Sequence, residues 1–380
     1  MDIRKLNPFF ETELEIDVSN FNLFMGYSNY PCDSLTIYLA EEDCIDEQHK
    51  LEYVQKAFPV AKSLEKFNLY VDLFDSVPSL KNFNYLQVCV IENPLMKRFD
   101  YNFRFNKHLK ELSITAPIEF IYKYSFVTNS KLKYLRLKNF KVRKEILQEC
   151  IGKVSNLERL YLVNCNLKDF ELENVKCLDY LQSISFCDNK LKKIPSFLQK
   201  CKYINIVDIC NNQIQSIDEC NWLQNSYVRQ LCLKKNCLTQ LPNFLQNMKH
   251  LQHLIIPYNK FKETVPFVFK KEFIDNVSID TSQRILSEEK YKLFKYLQNH
   301  PEDDLFENTE LFQCPISRNI MIDPVSTENG HTYDKFSIET WLKKKNTDPV
   351  SGQTLTSKKL VPNLALFSII SSTIDKKMKS

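Results

Sequence analysis

Thirteen cysteines are the side chains best able to do chemistry in this chain, and their spacing argues against most of it. They run from Cys32 to Cys314 without a close C-x-x-C pair, so neither a disulfide framework nor a zinc knuckle is indicated. Buried thiols in a reducing compartment are the economical reading. Cys314 stands before Pro315 among apolar residues, with no cation or paired histidine to lower its pKa, so it is expected to be inert core and not a covalent nucleophile. The four glycines, Gly26, Gly152, Gly330 and Gly352, lie too far apart to form a phosphate-cradling loop. No cofactor and no metal are expected.

The charge balance narrows the partners. A net charge of +4 is too small to point to nucleic acid. The excess is local: residues 311–380 hold ten Lys or Arg against six Asp or Glu, which marks a compositional boundary. The uncharged stretch from Leu360 to Ile374 is broken by Pro362, Asn363 and serines and is shorter than the ~20 apolar residues that span a bilayer, so no membrane association is expected. Met1-Asp2-Ile3-Arg4-Lys5 leads into acidic residues with no apolar core or cleavage site. The expected location is the cytoplasm, with the nucleus as the alternative.

The elements that must carry these residues are set by a repeat. Leu181, Ile184, Phe186 and Asn189 recur as Ile204, Val207, Ile209 and Asn212, as Val228, Leu231, Leu233 and Asn236, and as Leu251, Leu254, Ile256 and Asn259. The steps are 23, 24 and 23 residues. Upstream the same spacing gives Leu157-Leu160-Leu162, Leu132-Leu135-Leu137, Leu109-Leu112-Ile114, Tyr85-Val88-Val90 and Leu64-Phe67-Leu69; downstream it gives Ile274-Val277-Ile279. These ten copies resemble the leucine-rich repeat family. The resemblance implies an α/β leucine-rich-repeat solenoid with a parallel sheet on the concave side, over residues 61–283.

One repeat buries about six apolar side chains at ~1.5–3 kcal/mol each, while ordering its two dozen residues costs ~1–2 kcal/mol apiece. Stability must therefore come from stacking. The recurring Asn suits a buried turn whose backbone groups no strand can reach; Asp72, Pro117, Phe140 and Cys165 replace it in early copies. Residues 1–60, with a strand-like run Leu35–Leu39 and a helix-like run from Asp46 to Phe58, read as an N-terminal cap. Residues 284–308 read as a capping helix begun by Ser287-Glu288-Glu289, followed by the acidic linker Pro301–Asp304. Alternate strand residues line the concave face. There Tyr134, Arg136, Lys138, Arg159 and Tyr161 form a basic and aromatic cluster suited to an acidic peptide or protein loop, beside a flatter patch of Ser183, Ser185, Cys187, Cys210 and Cys232. The cluster reads equally well as ordinary solvated face residues.

From residue 309 the period stops. Pro324–Thr327 and His331–Tyr333 flank Glu328-Asn329-Gly330 as a hairpin. Asp334 is placed to cap a helix reaching about Lys345, in which Ile338, Trp341 and Leu342 share a side, and Pro362 to open a last helix. That helix has apolar residues on two sides, Leu364-Phe367-Ile370-Ile374 and Leu366-Ile369, so pairing with a second copy to give a homodimer is conceivable.

Cys314-Pro315-Ile316, Asp323-Pro324-Val325, Gly330 to Asp334, Ile338 with Trp341-Leu342, Asp348-Pro349-Val350 and Leu360 to Asn363 fall in an order that resembles the U-box. This is the zinc-free, RING-like α+β module of ubiquitin ligases, here over residues 309–380. A RING needs eight metal ligands, and the segment offers Cys314 and His331, so zinc is excluded and resistance to chelators is expected. A closed zinc site contributes ~10–16 kcal/mol and each charged hydrogen bond only ~1.5–3. Asp323, Glu328, Asp334, Asp348, Lys358, Lys359 and Asn363 are candidates for a substituting network, with Tyr333 a further structural position of the fold. The resemblance implies that Ile316 and Arg318 of the first loop, Trp341 of the helix and Pro349 of the second loop grip a ubiquitin-conjugating enzyme carrying ubiquitin. Trp341 reads as interface because Ile338 and Leu342 already supply the inward face. The implied activity is U-box ubiquitin-protein transfer without a covalent intermediate, with no catalytic residue of its own, toward a protein substrate held by the solenoid. Gly352 stands where a basic residue bridging ubiquitin to its carrier is common, and Arg318 where an apolar contact is common. The alternative is therefore a non-catalytic adaptor or scaffold with a degenerate U-box.

Overall fold

The repeat becomes one twelve-stranded parallel sheet in the computed structural model, each strand bonded to the one formed by the preceding copy. The structure describes residues 13–16, 34–39, 64–71, 80, 83–99, 103, 106–121, 131–141, 154, 156–169, 178–262, 266–300 and 309–379. The strands are β1 (Glu13–Ile16), β2 (Ser34–Leu39), β3 (Lys66–Val71), β4 (Val88–Glu92), β5 (Glu111–Thr115) and β6 (Tyr134–Lys138). They continue as β7 (Arg159–Val163), β8 (Ser183–Ser185), β9 (Ile206–Asp208), β10 (Gln230–Cys232), β11 (His253–Ile255) and β12 (Ser278–Asp280). β2 lies in register with β3, Leu35 opposite Phe67 and Ile37 opposite Leu69, so the run at Leu35–Leu39 extends the sheet. The helix expected over 46–58 lies outside the described residues.

The buried positions are the repeated leucines and their equivalents. Leu135, Leu137, Leu160, Leu162, Ile184, Phe186, Val207 and Ile209 are at most 1% exposed, and the residues between them face out, as a period of two requires. Two copies sit differently from the sequence reading. In the copy that forms β4 the inward residues are Leu86, Cys89 and Ile91, while Tyr85 is exposed; a one-residue slip exchanges the faces, and Cys89 and Ile91 pair with Leu112 and Ile114. In the last strand Ile279, not Val277, pairs with Leu254, so that copy lies two residues later.

The asparagines form a ladder. Asn212 accepts from Leu191 N (3.0 Å) in the preceding turn and donates to Phe186 O (2.9 Å) and Cys210 O (3.0 Å). Asn236 and Asn259 repeat this with Ile214 N and Ile209 O, and with Leu238 N and Leu233 O. Asn189 accepts from Cys165 N and Leu167 N. Where Cys165 replaces the asparagine, its thiol donates to Leu137 O at 3.3 Å. The residue before each ladder asparagine, Asp188, Asn211, Lys235 and Tyr258, adopts a positive φ of 51–60°, the sharp bend that turns the chain out of its strand.

The chain divides into two compact units: residues 1–260 with 278–280, and residues 261–277 with 281–380. In the second, β13 (Pro324–Ser326) pairs antiparallel with β14 (Thr332–Asp334) on one side and β15 (Val361–Pro362) on the other. Around this sheet lie α1 (Glu288–Asn299), α2 (Lys335–Leu342) and α3 (Leu364–Lys379). Ser287 caps α1, its Oγ accepting from Lys290 N. Leu293 of α1 joins Cys314, Val325, Tyr333, Ile338, Leu342, Leu355, Ile370 and Ile374 in one buried core. No helix among the described residues is long and apolar enough to cross a membrane.

Candidate functional site

The hairpin turn at Gly330, with φ +82°, sends β14 back along β13 and delivers Tyr333 into the core, fully buried. Its hydroxyl donates to Asp348 Oδ1 at 2.8 Å. Asp348 is itself fully buried. Its Oδ2 accepts from Thr327 Oγ1 (2.8 Å), and its Oδ1 also accepts from Val350 N and Ser351 N, both at 3.0 Å. His331 Nδ1 lies 3.1 Å from Oδ1, off the direction of a hydrogen bond. Burial alone would raise the Asp348 pKa; the Ser351 amide, the Thr327 and Tyr333 hydroxyls and the Val350 amide outweigh it and hold the carboxyl well below the usual range. One carboxylate thus ties the hairpin to the second loop, where a RING would use metal.

A second carboxylate ties the first loop. Asp334 Oδ2 accepts from Ile322 N (2.9 Å) and Asp323 N (3.2 Å), and pairs with Arg284 at 2.5 Å. Asp334 stands at the N-cap of α2 yet makes no capping bond to it; the two loop amides and Arg284 take its side chain instead. Lys290 of α1 pairs with Asp323 at 2.6 Å. Glu328 accepts from Thr356 N and Oγ1, and Lys358 Nζ donates to Leu342 O at 2.7 Å. From Lys359 it is the backbone amide that binds, to Ser357 Oγ. Pro362 belongs to β15, not to the last helix; Asn363 caps α3, accepting from Leu366 N at 3.1 Å and donating to Thr332 Oγ1. On α3, Ile370 and Ile374 are buried and Leu366 and Phe367 pack on the core, while Leu364 and Ile369 stay exposed.

The residues expected to grip a partner sit on these braced loops. Ile316 and Trp341 are half-buried against the core, and Pro349 is half-buried beside exposed Val350. Trp341 Nε1 donates to Thr347 O (2.7 Å), and Lys345 lies over its ring at 4.5 Å. The indole therefore fastens α2 to the second loop while keeping part of its surface outside. Arg318 is exposed at φ +57°, in a turn closed by its N–H to Cys314 O. Gly352 closes the second loop by donating to Asp348 O (2.8 Å) at φ +71°, with open space where a Cβ would point. Cys314 is fully buried, which suits core and not a nucleophile. Sequence reasoning missed Thr327, Arg284, Lys290 and Leu293. The last three lie upstream of residue 309, where nothing in the local pattern points to the module.

On the concave face of the first unit the basic and aromatic cluster assembles across β6 and β7, Tyr134 opposite Arg159 and Arg136 opposite Tyr161. Tyr134 and Tyr161 meet edge to face at 5.4 Å, and Arg159 lies 5.9 Å from the centre of the Tyr134 ring. Burial raises the Tyr134 pKa. Tyr161 Oη lies 3.2 Å from Ser183 Oγ on β8, joining the cluster to the serine and cysteine patch.

The first unit is thus a repeat solenoid and the second a small α+β module whose loops are tied by buried carboxylates. Comparison with known proteins agrees on the second: the U-box domain family matches residues 309–379, and the chain ends in a U-box. U-box domain-containing protein 4 of Oryza sativa subsp. japonica is 48% identical over 71 residues, 18% of this chain and 10% of that protein. E3 ubiquitin-protein ligase PUB22 of Arabidopsis thaliana is 47% identical over 72 residues, 18% of this chain and 17% of that protein. The chain thus matches these relatives over less than a fifth of their length. Among solved structures, a Leptospira interrogans LRR protein is similar with a TM-score of 0.44 and 14% identity, over 72% of this chain and 83% of that one.

Proposed function

We propose that this protein is a ubiquitin ligase of the U-box type. Its U-box binds a ubiquitin-conjugating enzyme through Ile316, Arg318, Trp341 and Pro349, and its solenoid recruits a protein substrate through Tyr134, Arg136, Lys138, Arg159 and Tyr161. The observation that carries this reading is the pair of loops tied by the hydrogen bonds of Asp348 and Asp334, each presenting a half-buried apolar residue, with Trp341 fastened to the second loop. A rigid apolar patch with little ordering left to lose is what an anchor pocket requires. Ligation proceeds by orientation: the loaded enzyme is held near a lysine, which converts an intermolecular aminolysis into an effectively intramolecular one. The second reading, an adaptor that binds without promoting transfer, is favoured by Gly352, whose lack of a side chain leaves open space beside the second loop.

Auto-ubiquitination with a panel of conjugating enzymes tests both. Under the ligase reading the wild type builds chains and Ile316→Ala or Trp341→Ala abolishes them while the fold persists. No product from any enzyme, with binding retained, supports the adaptor. Gly352→Arg sharpens the distinction. The positive φ costs it about 1 kcal/mol of stability, yet transfer rises if the missing cation limits activity.

A further inference from the structure

The period that rules out a C-x-x-C motif creates a different juxtaposition. Cys187 and Cys210 are 23 residues apart in sequence and occupy equivalent positions just beyond the adjacent strands β8 and β9. Asp208, two residues before Cys210, projects from the same face. The two sulfurs and a carboxylate oxygen of Asp208 lie within 4.8 Å of one another. Cys232, itself buried, stands directly across the ladder from Asp208 on β10.

We propose that Cys187, Asp208, Cys210 and Cys232 form a zinc site on the concave face of the solenoid. Zinc takes four ligands at about 2.3 Å to sulfur and 2.0–2.2 Å to oxygen, which sets neighbouring ligand atoms about 3.8 Å apart. Closing the observed triangle onto a metal needs a contraction of at most about 1 Å, within reach of side-chain rotation on a fixed sheet. The donor set selects the ion: thiolates favour zinc over magnesium or calcium.

A second, independent observation points the same way. Asp208 Oδ1 is buried and has no hydrogen-bond partner, and among the described residues no ion pair involves Asp208. A buried carboxylate oxygen without a donor is costly, and a cation seated between it and the sulfurs removes that cost. Ser185 Oγ lies 3.5 Å from Cys187 Sγ and 3.4 Å from Asp208 Oδ2, placed to orient both ligands as outer partners commonly do. On binding, three S–H bonds break and their protons pass to water as three Zn–S bonds and one Zn–O bond form.

The test uses the full chain, purified reduced and stripped of metal. Cobalt(II) is titrated and read through its thiolate charge-transfer and tetrahedral d–d absorption, then displaced by zinc. The expected result is one cobalt per chain with thiolate bands, lost in Cys187→Ser/Cys210→Ser and at least tenfold weaker in Asp208→Asn, with circular dichroism unchanged. Spectra that persist in the double variant place the metal elsewhere and overturn the proposal. So does the absence of stoichiometric binding, or a Cys187–Cys210 disulfide in protein isolated under non-reducing conditions. Asp208→Asn serves as the folding control, because it keeps the shape of the side chain. Ile316→Ala should bind cobalt as the wild type does, so the outcome is independent of the ligase reading.

Discussion

The two units solve one problem, satisfying buried polar groups, in opposite ways. In the solenoid the solution is distributed: each ladder asparagine serves its own turn and the preceding one, and the same chemistry recurs from Asn189 to Asn259. In the U-box it is concentrated: fully buried Asp348 gathers a tyrosine, a threonine and two amides from separate segments. A repeated solution tolerates a missing member, as Cys165 shows by substituting a thiol for an amide. A concentrated one has no spare.

The largest expected effect follows from that contrast. Asp348→Ala leaves the Tyr333 and Thr327 hydroxyls and the Ser351 amide without this acceptor, Val350 N keeping only Tyr333 Oη, and should cost the U-box about 3–5 kcal/mol. The two tryptophans separate the units, since Trp222 lies in the first and Trp341 in the second. With Trp222→Phe as background, urea unfolding followed by fluorescence should show the Trp341 transition shifted to lower denaturant. With Trp341→Phe, the Trp222 transition should not move. Equal shifts in both would erase the contrast.

Acid probes the same carboxylate. Because the folded-state pKa of Asp348 is depressed, its contribution is fully present above the ordinary aspartate value and is lost as pH falls from there toward the folded value. The Trp341 signal should therefore lose stability steeply below about pH 4, and Asp348→Asn should flatten that dependence while lowering stability at neutral pH.

The smallest effect belongs to the ladder. Asn212→Ala removes the acceptor of Leu191 N and a donor to Cys210 O, while Phe186 O keeps Asn189 Nδ2, for a cost of about 1–3 kcal/mol. The Trp222 transition should broaden as well as shift, since neighbouring repeats are coupled only through their interfaces. A sharp, undiminished transition would show that the sheet and not the amides unites the array.

How much of this was legible depends on the range of the interaction. The leucine spacing revealed the sheet because burial alternates with period two along every strand, and it misplaced β4 by one residue because Tyr85, Val88 and Val90 are as apolar as the Leu86, Cys89 and Ile91 that turn inward. The hairpin at Gly330 was readable because its turn chemistry is local. Asp348 and Asp334 could be named as network candidates but not paired, since their donors arrive from other segments. The salt bridges from Arg284 and Lys290 were invisible in a segment read as a solenoid cap. The Asp334 side chain left its expected capping role because two loop amides and a guanidinium offer a charged acceptor more than one helix N–H does. Cys187 and Cys210 are legible in the sequence only as a flat patch with Ser183, Ser185 and Cys232, because what joins Asp208 to them is their pairing across adjacent strands.

The direction of the asparagine ladder has a consequence for synthesis. Cys165 and Leu167 find their acceptor on Asn189, and Leu191 finds its acceptor on Asn212, so within the ladder a turn is not complete until the following copy has been translated. On the ribosome the newest ladder turn stays open, and its ordering must trail elongation by about one repeat along the emerging chain.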